Sequence, residues 1–265
     1  MELIADSVEI DRYFEEQQDA AELARIKPAS SWCDAVIDRF YGQAAAANWT
    51  PIGWQKTAGN FDLRQGELTL WAGINGHGKT TFLTHTMLNV MARGAKVCIA
   101  SMEMPPAATM GKMAKQAIGV EKPSIKYLRA FHAWTDGRLW IYDRVGKVDA
   151  DKMLRLATYV RGKLGVEHLV IDSLTKLGLG TDDYTAQKNF ADSLQTLALQ
   201  GGLHIHLVCH MRKGDSEDKA PGKFDVRGAG ELTDMADNLA IVWQNVRKKD
   251  KAPDKQDPDE ADAFG

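Results

Sequence analysis

The chain has 265 residues, a formal net charge of -3, and compositions of 44% hydrophobic and 26% charged residues. That is enough for one substantial core with a small appendage, and the balance is that of an ordinary soluble globular protein. No apolar run approaches the roughly 20 residues of a membrane span, and the acidic start Met1-Glu2-Leu3-Ile4-Ala5-Asp6 lacks a signal peptide's basic and apolar regions. Cys33, Cys98 and Cys209 lie far apart without metal-ligand spacing, which fits a reducing cytosol and small buried apolar residues. The charge argues against wholesale coating of nucleic acid but leaves room for a local basic surface.

In chain order, Val8 to Ile26 has helical periodicity, with Ile10, Phe14, Ala21 and Ala24 near one face, and Pro28 ends it. Trp32, Val36 and Phe40 recur at four-residue spacing and predict a second helix from Ser31 to Tyr41. Such helices have no sheet of their own to cover, so they pack either on their own domain or on a neighbouring subunit. Gly42 to Asn60, with Pro51 and Gly53, reads as a linker. Leu68 to Ala72 reads as a buried strand, and Phe82, Leu83, Met87, Leu88 and Met91 as the inner face of a helix. Strands follow at 96–101, 138–142, 168–172, 204–209 and 239–243, with helices at 106–118, 150–164 and 184–199. This alternation predicts an α/β fold, a mostly parallel twisted sheet with helices on both faces. From Arg247 the sequence is charged, with Pro253 and Pro258, and reads as a disordered tail or solvated loop. The expected divisions are 1–60 for the helical segment, 61–246 for the main domain and 247–265 for the tail.

Between the first strand of that domain and its helix lies Gly73-Ile-Asn-Gly-His-Gly-Lys-Thr80, the pattern G-x-x-x-x-G-K-[ST]. A glycine-rich turn of this kind converges backbone N–H groups on phosphate oxygens, and the helix N-terminus adds partial positive charge. Gly73, Asn75, Gly76, Gly78, Lys79, Thr80 and Thr81 are therefore the expected contacts for a nucleoside triphosphate. Lys79 reaches the β- and γ-phosphates, and the Thr80 hydroxyl ligates Mg²⁺.

In such sheets ligands sit beyond the carboxyl ends of the strands. Asp172 ends the run His168-Leu-Val-Ile-Asp172 and is placed to share the Mg²⁺ with Thr80. Glu103, after the strand ending at Ser101, suits a base for the water that attacks the γ-phosphate; it equally suits a solvent-exposed helix-entry residue. His210, one past the strand ending at Cys209, could donate to the γ-phosphate. His77, His85, His204 and His206 read as structural, and no zinc-type ligand set is inferred. Met211 to Arg227 carries Arg212, Lys213, Lys219, Lys223 and Arg227 among acidic residues, a solvated loop or a salt-sensitive contact to a phosphate backbone.

Taken in order, these stretches resemble the RecA-like motor domain of DnaB-type replicative helicases, nearest the phage primase-helicase and Twinkle branch. The resemblance is carried by Gly-Ile-Asn-Gly-His-Gly-Lys-Thr, Ser101-Met-Glu-Met-Pro105, Leu169-Val-Ile-Asp172, Val208-Cys-His-Met-Arg-Lys213 and Asp225-Val-Arg-Gly-Ala-Gly230, the last followed by Asp234 and Asp237. It implies an ATP-dependent hexameric ring that translocates on single-stranded DNA in the cytoplasm of a bacterial or phage-infected cell. It implies Lys79, Thr80 and Asp172 for nucleotide and Mg²⁺, Glu103 as catalytic base and His210 as γ-phosphate sensor. Arg212, Lys213, Lys219, Lys223, Arg227, Gly228 and Gly230 would then face DNA, and the N-terminal helices would dock on the next subunit. No primase-like stretch precedes the motor, so the resemblance puts priming, like a loader, on a separate chain. The family's arginine-finger strand has no matching motif, Arg247 being the only late arginine. A non-unwinding RecA-like ATPase of recombinase or regulatory type, or a helicase-assembly partner, is the alternative.

Overall fold

The computed structural model describes residues 26–41, 49–57, 59–180, 183–211, 220–228, 230–246, 248 and 263–264. It divides into the units Met1–Asn48 and Trp49–Gly265. In the first, a 3-10 turn over Ala29–Trp32 leads into α1, Cys33–Tyr41. The predicted second helix is thus present, and Val36 and Phe40 on it are 50% and 73% exposed. The helix expected from Val8 lies outside the described residues.

The second unit opens with a feature absent from the sequence reading. β1 (Trp49–Pro51), inside the stretch read as linker, pairs antiparallel with β2 (Asp62–Arg64), just beyond it. Ile52 and Leu63 drop into the core, and Asn89 donates to the Pro51 carbonyl at 2.8 Å, tying this hairpin to the helix that follows the phosphate loop. The main elements are then β3 (Leu68–Gly73), α2 (Lys79–Ala92), β4 (Val97–Ser101), α3 (Pro106–Ile118), α4 (Ile125–Thr135), β5 (Leu139–Ile141), α5 (Ala150–Leu164) and β6 (His168–Asp172). After them come α6 (Tyr184–Gly201), β7 (His204–His210), α7 (Gly230–Met235), β8 (Asn238–Gln244) and β9 (Ala263–Phe264). Among the described residues the sheet runs β5-β4-β6-β7-β3-β8-β9, all parallel except the antiparallel edge strand β9.

Every residue of β3, β4 and β6 is buried, as expected of parallel strands covered on both faces. Alternation divides them. Leu68, Leu70, Leu169, Ile171, Ile205 and Leu207 pack with α5, α6 and α7. Trp71, Val97, Ile99, Val170 and Val208 pack with α2, α3 and α4. Side-chain caps start several helices: Ser124 accepts from the Tyr127 N–H, Asp149 from Asp151 and Asp183 from Ala186.

The face toward α2 also holds a buried polar chain at the amino ends of the strands. His204 Nδ1–H donates to the Arg64 carbonyl. Its Nε2 accepts from the Thr69 hydroxyl at 2.8 Å, whose oxygen accepts from Asn238 at 3.3 Å. Trp71 Nε1–H donates to His206 Nδ1 at 3.0 Å, leaving His206 Nε2–H to donate to His168 Nδ1 at 3.2 Å. Burial keeps all three histidines neutral: it pushes His204 down to about 4 and His168 and His206 well below the usual imidazole range.

Candidate functional site

The sheet register gathers the strand ends. Gly73 pairs with His210 on one side and Val242 on the other, and Ser101 pairs with Asp172. Above these ends lies a cleft of about 830 Å³ whose lining includes Asn75, Lys79, Thr80, Glu103, Asp172 and His210. Gly76, Gly78 and Thr81 complete the loop side, and Lys112, Lys176 and Arg227 bring further positive charge to the wall. The sequence-predicted nucleotide and catalytic residues therefore converge on one place, with Gly73 directly beneath.

Two of the loop's glycines are required for different reasons. Gly78, the cap of α2, has φ 95°, where a side chain would be strained although nothing crowds it. Gly73 has no such φ; a Cβ there would run into the Val242 carbonyl oxygen and sit 3.1 Å from Lys79 Cγ. Lys79 is buried and folds back on the loop, donating to the carbonyls of Gly73 at 2.8 Å and Ile74 at 3.0 Å. That burial lowers its pKa, against the opposing pull of Asp172 and Glu103. His77, read as a tolerated loop residue, is buried, and its Nδ1 accepts from the Gln244 N–H at 3.2 Å, pinning the loop to the end of β8.

Thr80 donates to Asp172 Oδ2 at 3.3 Å. Burial raises the Asp172 pKa and the Glu103 charge raises it further, with Thr80 opposing. A hydroxyl and an under-compensated carboxylate side by side are the oxygen donors that Mg²⁺ takes alongside phosphate oxygens and water, so this pair fits the ion.

Glu103 is not a free helix-entry residue. Its Oε1 accepts from the Ser173 hydroxyl at 2.9 Å and lies 3.4 Å from His210 Nε2. The His210 hydrogen bond, helped by Ser173, outweighs burial and holds the carboxyl down to about 2. Ser173 is fully buried and also meets the Thr175 hydroxyl at 2.8 Å and His210 Nε2 at 3.3 Å. The result is a connected group, Thr175–Ser173–Glu103–His210, of which Thr175, Glu103 and His210 line the cleft. The sequence reading missed Ser173, because a serine after a strand-ending aspartate carries no signal of its own.

A second space, of about 810 Å³, adjoins the cleft through Gly76, Gly78 and Thr81. Trp54, Phe82, Trp243 and Gln244 line it, with Trp54 stacked on Phe82 at 4.2 Å between centroids. Among the described residues, the buried side-chain polar atoms without a hydrogen-bond partner are Trp54 Nε1 and His210 Nδ1. They belong to residues of this aromatic space and of the cleft. A buried orphan costs about 1–3 kcal/mol, so leaving both where a ligand can bind is what a binding site looks like.

Of the loop residues expected to face DNA, Arg212, Lys213 and Lys219 lie outside the described residues. Lys223 is in an ion pair with Asp234 at 2.6 Å. Arg227 lines the cleft, with its backbone N–H on the His210 carbonyl at 2.8 Å. Gly228 is buried and Gly230 opens α7. No metal-binding group of three or more His, Cys, Asp or Glu side chains occurs among the described residues, and none of their helices is long and apolar enough to cross a membrane.

A mostly parallel sheet with a phosphate loop after β3, a strand-end aspartate and a held glutamate is the arrangement of a P-loop ATPase domain with the RecA-like fold. The AAA domain family matches residues 54–216, and the chain belongs to it. The DNA helicase/primase of Enterobacteria phage T3 is 25% identical over 205 residues, covering 69% of this chain and 36% of the phage protein. The chloroplastic/mitochondrial Twinkle homolog protein of Arabidopsis thaliana is 22% identical over 231 residues, covering 80% and 32% respectively. The chain thus spans about a third of the length of these curated relatives. Among solved structures, one ATPase domain superposes with a TM-score of 0.65 at 17% identity, covering 84% of this chain and 87% of that one. A DnaB-like replicative helicase, solved in a study of its interactions with primase, gives 0.64 at 16% identity, covering 93% and 69%.

Proposed function

We propose that this chain is the ATP-driven motor of a ring-forming helicase that translocates on single-stranded DNA. The observation that carries the reading is the junction at His210. The residue that meets the Glu103 carboxylate through its side chain holds Arg227 of the following loop through its backbone. Hydrolysis and the loop are thereby joined within one hydrogen-bonded path.

The triphosphate occupies the cleft and the base enters the aromatic space beside Trp54 and Trp243. Lys79 exchanges its loop carbonyls for phosphate oxygens, and the N–H groups of the turn add to it. Thr80 and Asp172 would hold Mg²⁺, which would supply charge neutralisation for the phosphates when bound. Glu103, ionised at any working pH, accepts the proton of the attacking water. His210, whose Nε2 already meets Glu103 and Ser173, changes partner when the γ-phosphate arrives or leaves, and Arg227 moves with it. The exposed apolar residues of α1 support docking on the next subunit of a hexamer, and a primase or loader is the expected partner. The phage and plant relatives named above are a helicase/primase and a Twinkle homolog, which supports the same reading.

ATP turnover in Mg²⁺, with and without single-stranded DNA, is the test. Marked stimulation by DNA is expected. Nucleotide binding with turnover that DNA leaves unmoved would instead favour a non-unwinding or regulatory ATPase.

A further inference from the structure

Lys112 lines the phosphate cleft but comes from α3, not from the phosphate loop or a strand end. The face of α3 that carries it is fixed by a residue one turn further on. Gln116 Nε2 donates to the Thr81 carbonyl at 2.8 Å, and its Oε1 accepts from the Thr84 hydroxyl at 2.8 Å. Residues four apart share a helix face, so the bonds that hold Gln116 to the start of α2 set Lys112 beside it too. Gln116 lines the aromatic space and Lys112 the cleft, and one face of α3 therefore borders both. The ammonium has no partner to match that placement: Lys112 makes no hydrogen bond or ion pair among the described residues. It is half-buried, and burial lowers its pKa while the Asp172 charge pulls the other way. Lys79, by contrast, is held by two loop carbonyls, and Lys176 is close enough to Glu103 to help lower that carboxyl.

A cation drawn partly out of water without a counter-charge is costly until an anion meets it. If Asp172 is engaged with an ion shared with Thr80, the Lys112 charge loses the acid that offsets its burial. Along α3, Gln116 stands at the aromatic end and Glu103, just before the helix, at the hydrolytic end, so Lys112 falls toward the last phosphate of the row. We propose that Lys112 is a ligand of the terminal phosphate, a second intrachain cation beside Lys79 by which the cleft tells a nucleoside triphosphate from a diphosphate. This rests on the reading that the cleft takes the triphosphate. An ammonium donates to phosphate oxygens in charge-assisted hydrogen bonds, and one confined to the γ-phosphate adds nothing to diphosphate affinity. Only Met104 and Pro105 lie between Glu103 and α3, so a phosphate that holds Lys112 also steadies the stretch that carries the base.

The test measures binding of ADP and of adenylyl-imidodiphosphate, a non-hydrolysable ATP analogue, to the full chain by calorimetry in Mg²⁺. Lys112→Met keeps an unbranched apolar stem and removes the charge. It is expected to weaken binding of the analogue roughly tenfold, the size of a lost charge-assisted hydrogen bond, and to leave ADP binding within about twofold. Lys112→Arg, which keeps the charge, is expected to restore the preference. Thermal melting identifies any variant that fails to fold, and Lys112→Gln then takes the place of Lys112→Met. Equal weakening for the two nucleotides gives Lys112 a structural role and overturns the proposal. Unchanged binding of the analogue in the folded, uncharged variant overturns it as well, and leaves the cleft reading standing. A wild type that binds neither nucleotide overturns the cleft reading, and this proposal with it.

Discussion

Acidification should unfold this protein through the histidines buried between β3, β6, β7 and β8. An unfolded histidine titrates near 6.5, whereas His204 in the fold is pushed down to about 4 by burial. A group whose folded pKa lies below its unfolded value contributes stability that is present above the unfolded pKa and lost as pH falls toward the folded one. At pH 5 the unfolded chain has taken up most of a proton at this position and the native chain almost none, a difference of about 2 kcal/mol. His168 and His206, both depressed further by burial, act in the same direction. Each adds to the loss that acid brings to a domain whose whole stability is typically about 5–15 kcal/mol. The assay is urea unfolding followed by far-ultraviolet circular dichroism at pH 7.5 and pH 5. The midpoint should fall steeply below pH 6.5, and less steeply in His204→Gln, whose amide can still donate to Arg64 and accept from Thr69. A midpoint constant from pH 7.5 to 5, or a His204→Gln profile identical to wild type, would refute the reasoning.

Glu103→Gln should bind nucleotide normally and lose turnover by about 10²–10⁴-fold; retained turnover removes Glu103 as the base. Lys79→Ala should abolish nucleotide binding, as measured by a fluorescent ATP analogue, and near-normal affinity would mean the backbone N–H groups suffice. Gly73→Ala should destabilise the domain by about 1–3 kcal/mol, the usual cost of overpacking, or roughly 2–4 °C of melting temperature per kcal/mol. An unshifted melt would show that β3 and β8 separate freely at Val242. Trp54→Phe keeps the stack on Phe82 and removes the orphan N–H. It should stabilise the nucleotide-free domain and weaken nucleotide binding; unchanged affinity would take that N–H out of the site.

The phosphate loop is legible in the sequence because its chemistry fixes four residues within eight positions, and Asp172 because that loop gives a strand-end aspartate, which alone would read as a turn cap, an ion to hold. The parallel strands are legible as apolar runs of the right length. The helix Ile125–Thr135 is not among the expected elements, although Ser124 caps it and Tyr127, Leu128, Phe131 and Trp134 have helical spacing. One helix already suffices to connect the strand at 96–101 to the next at 138–142, and nothing in the alternation demands a second. Glu103 is ambiguous in one dimension because only Ser173 and His210, brought from other strands, separate a held base from a surface carboxylate. Trp54 is invisible for a similar reason: Phe82, on which it stacks, and Trp243, which lines the same space, come near it only once the chain folds. The alternating His204 and His206 do read as structural, but their link to His168 and Trp71 crosses strands and has no one-dimensional trace.

The aromatic space beside the cleft joins Trp54, just after the first strand of its unit, to Trp243 and Gln244 at the end of β8. A nucleotide lodged there, as proposed, would act as a clasp, fastening one end of the space, at the hairpin, to the other, at the end of β8, beside the His77 bond to Gln244. Fraying at either end opens the space, and a filled space suppresses fraying by mass action, by about 2.7 kcal/mol at a hundredfold excess over Kd. Occupancy is therefore written into how firmly both ends are held. Whatever pulls on either end gains a handle on nucleotide release without touching the phosphate loop.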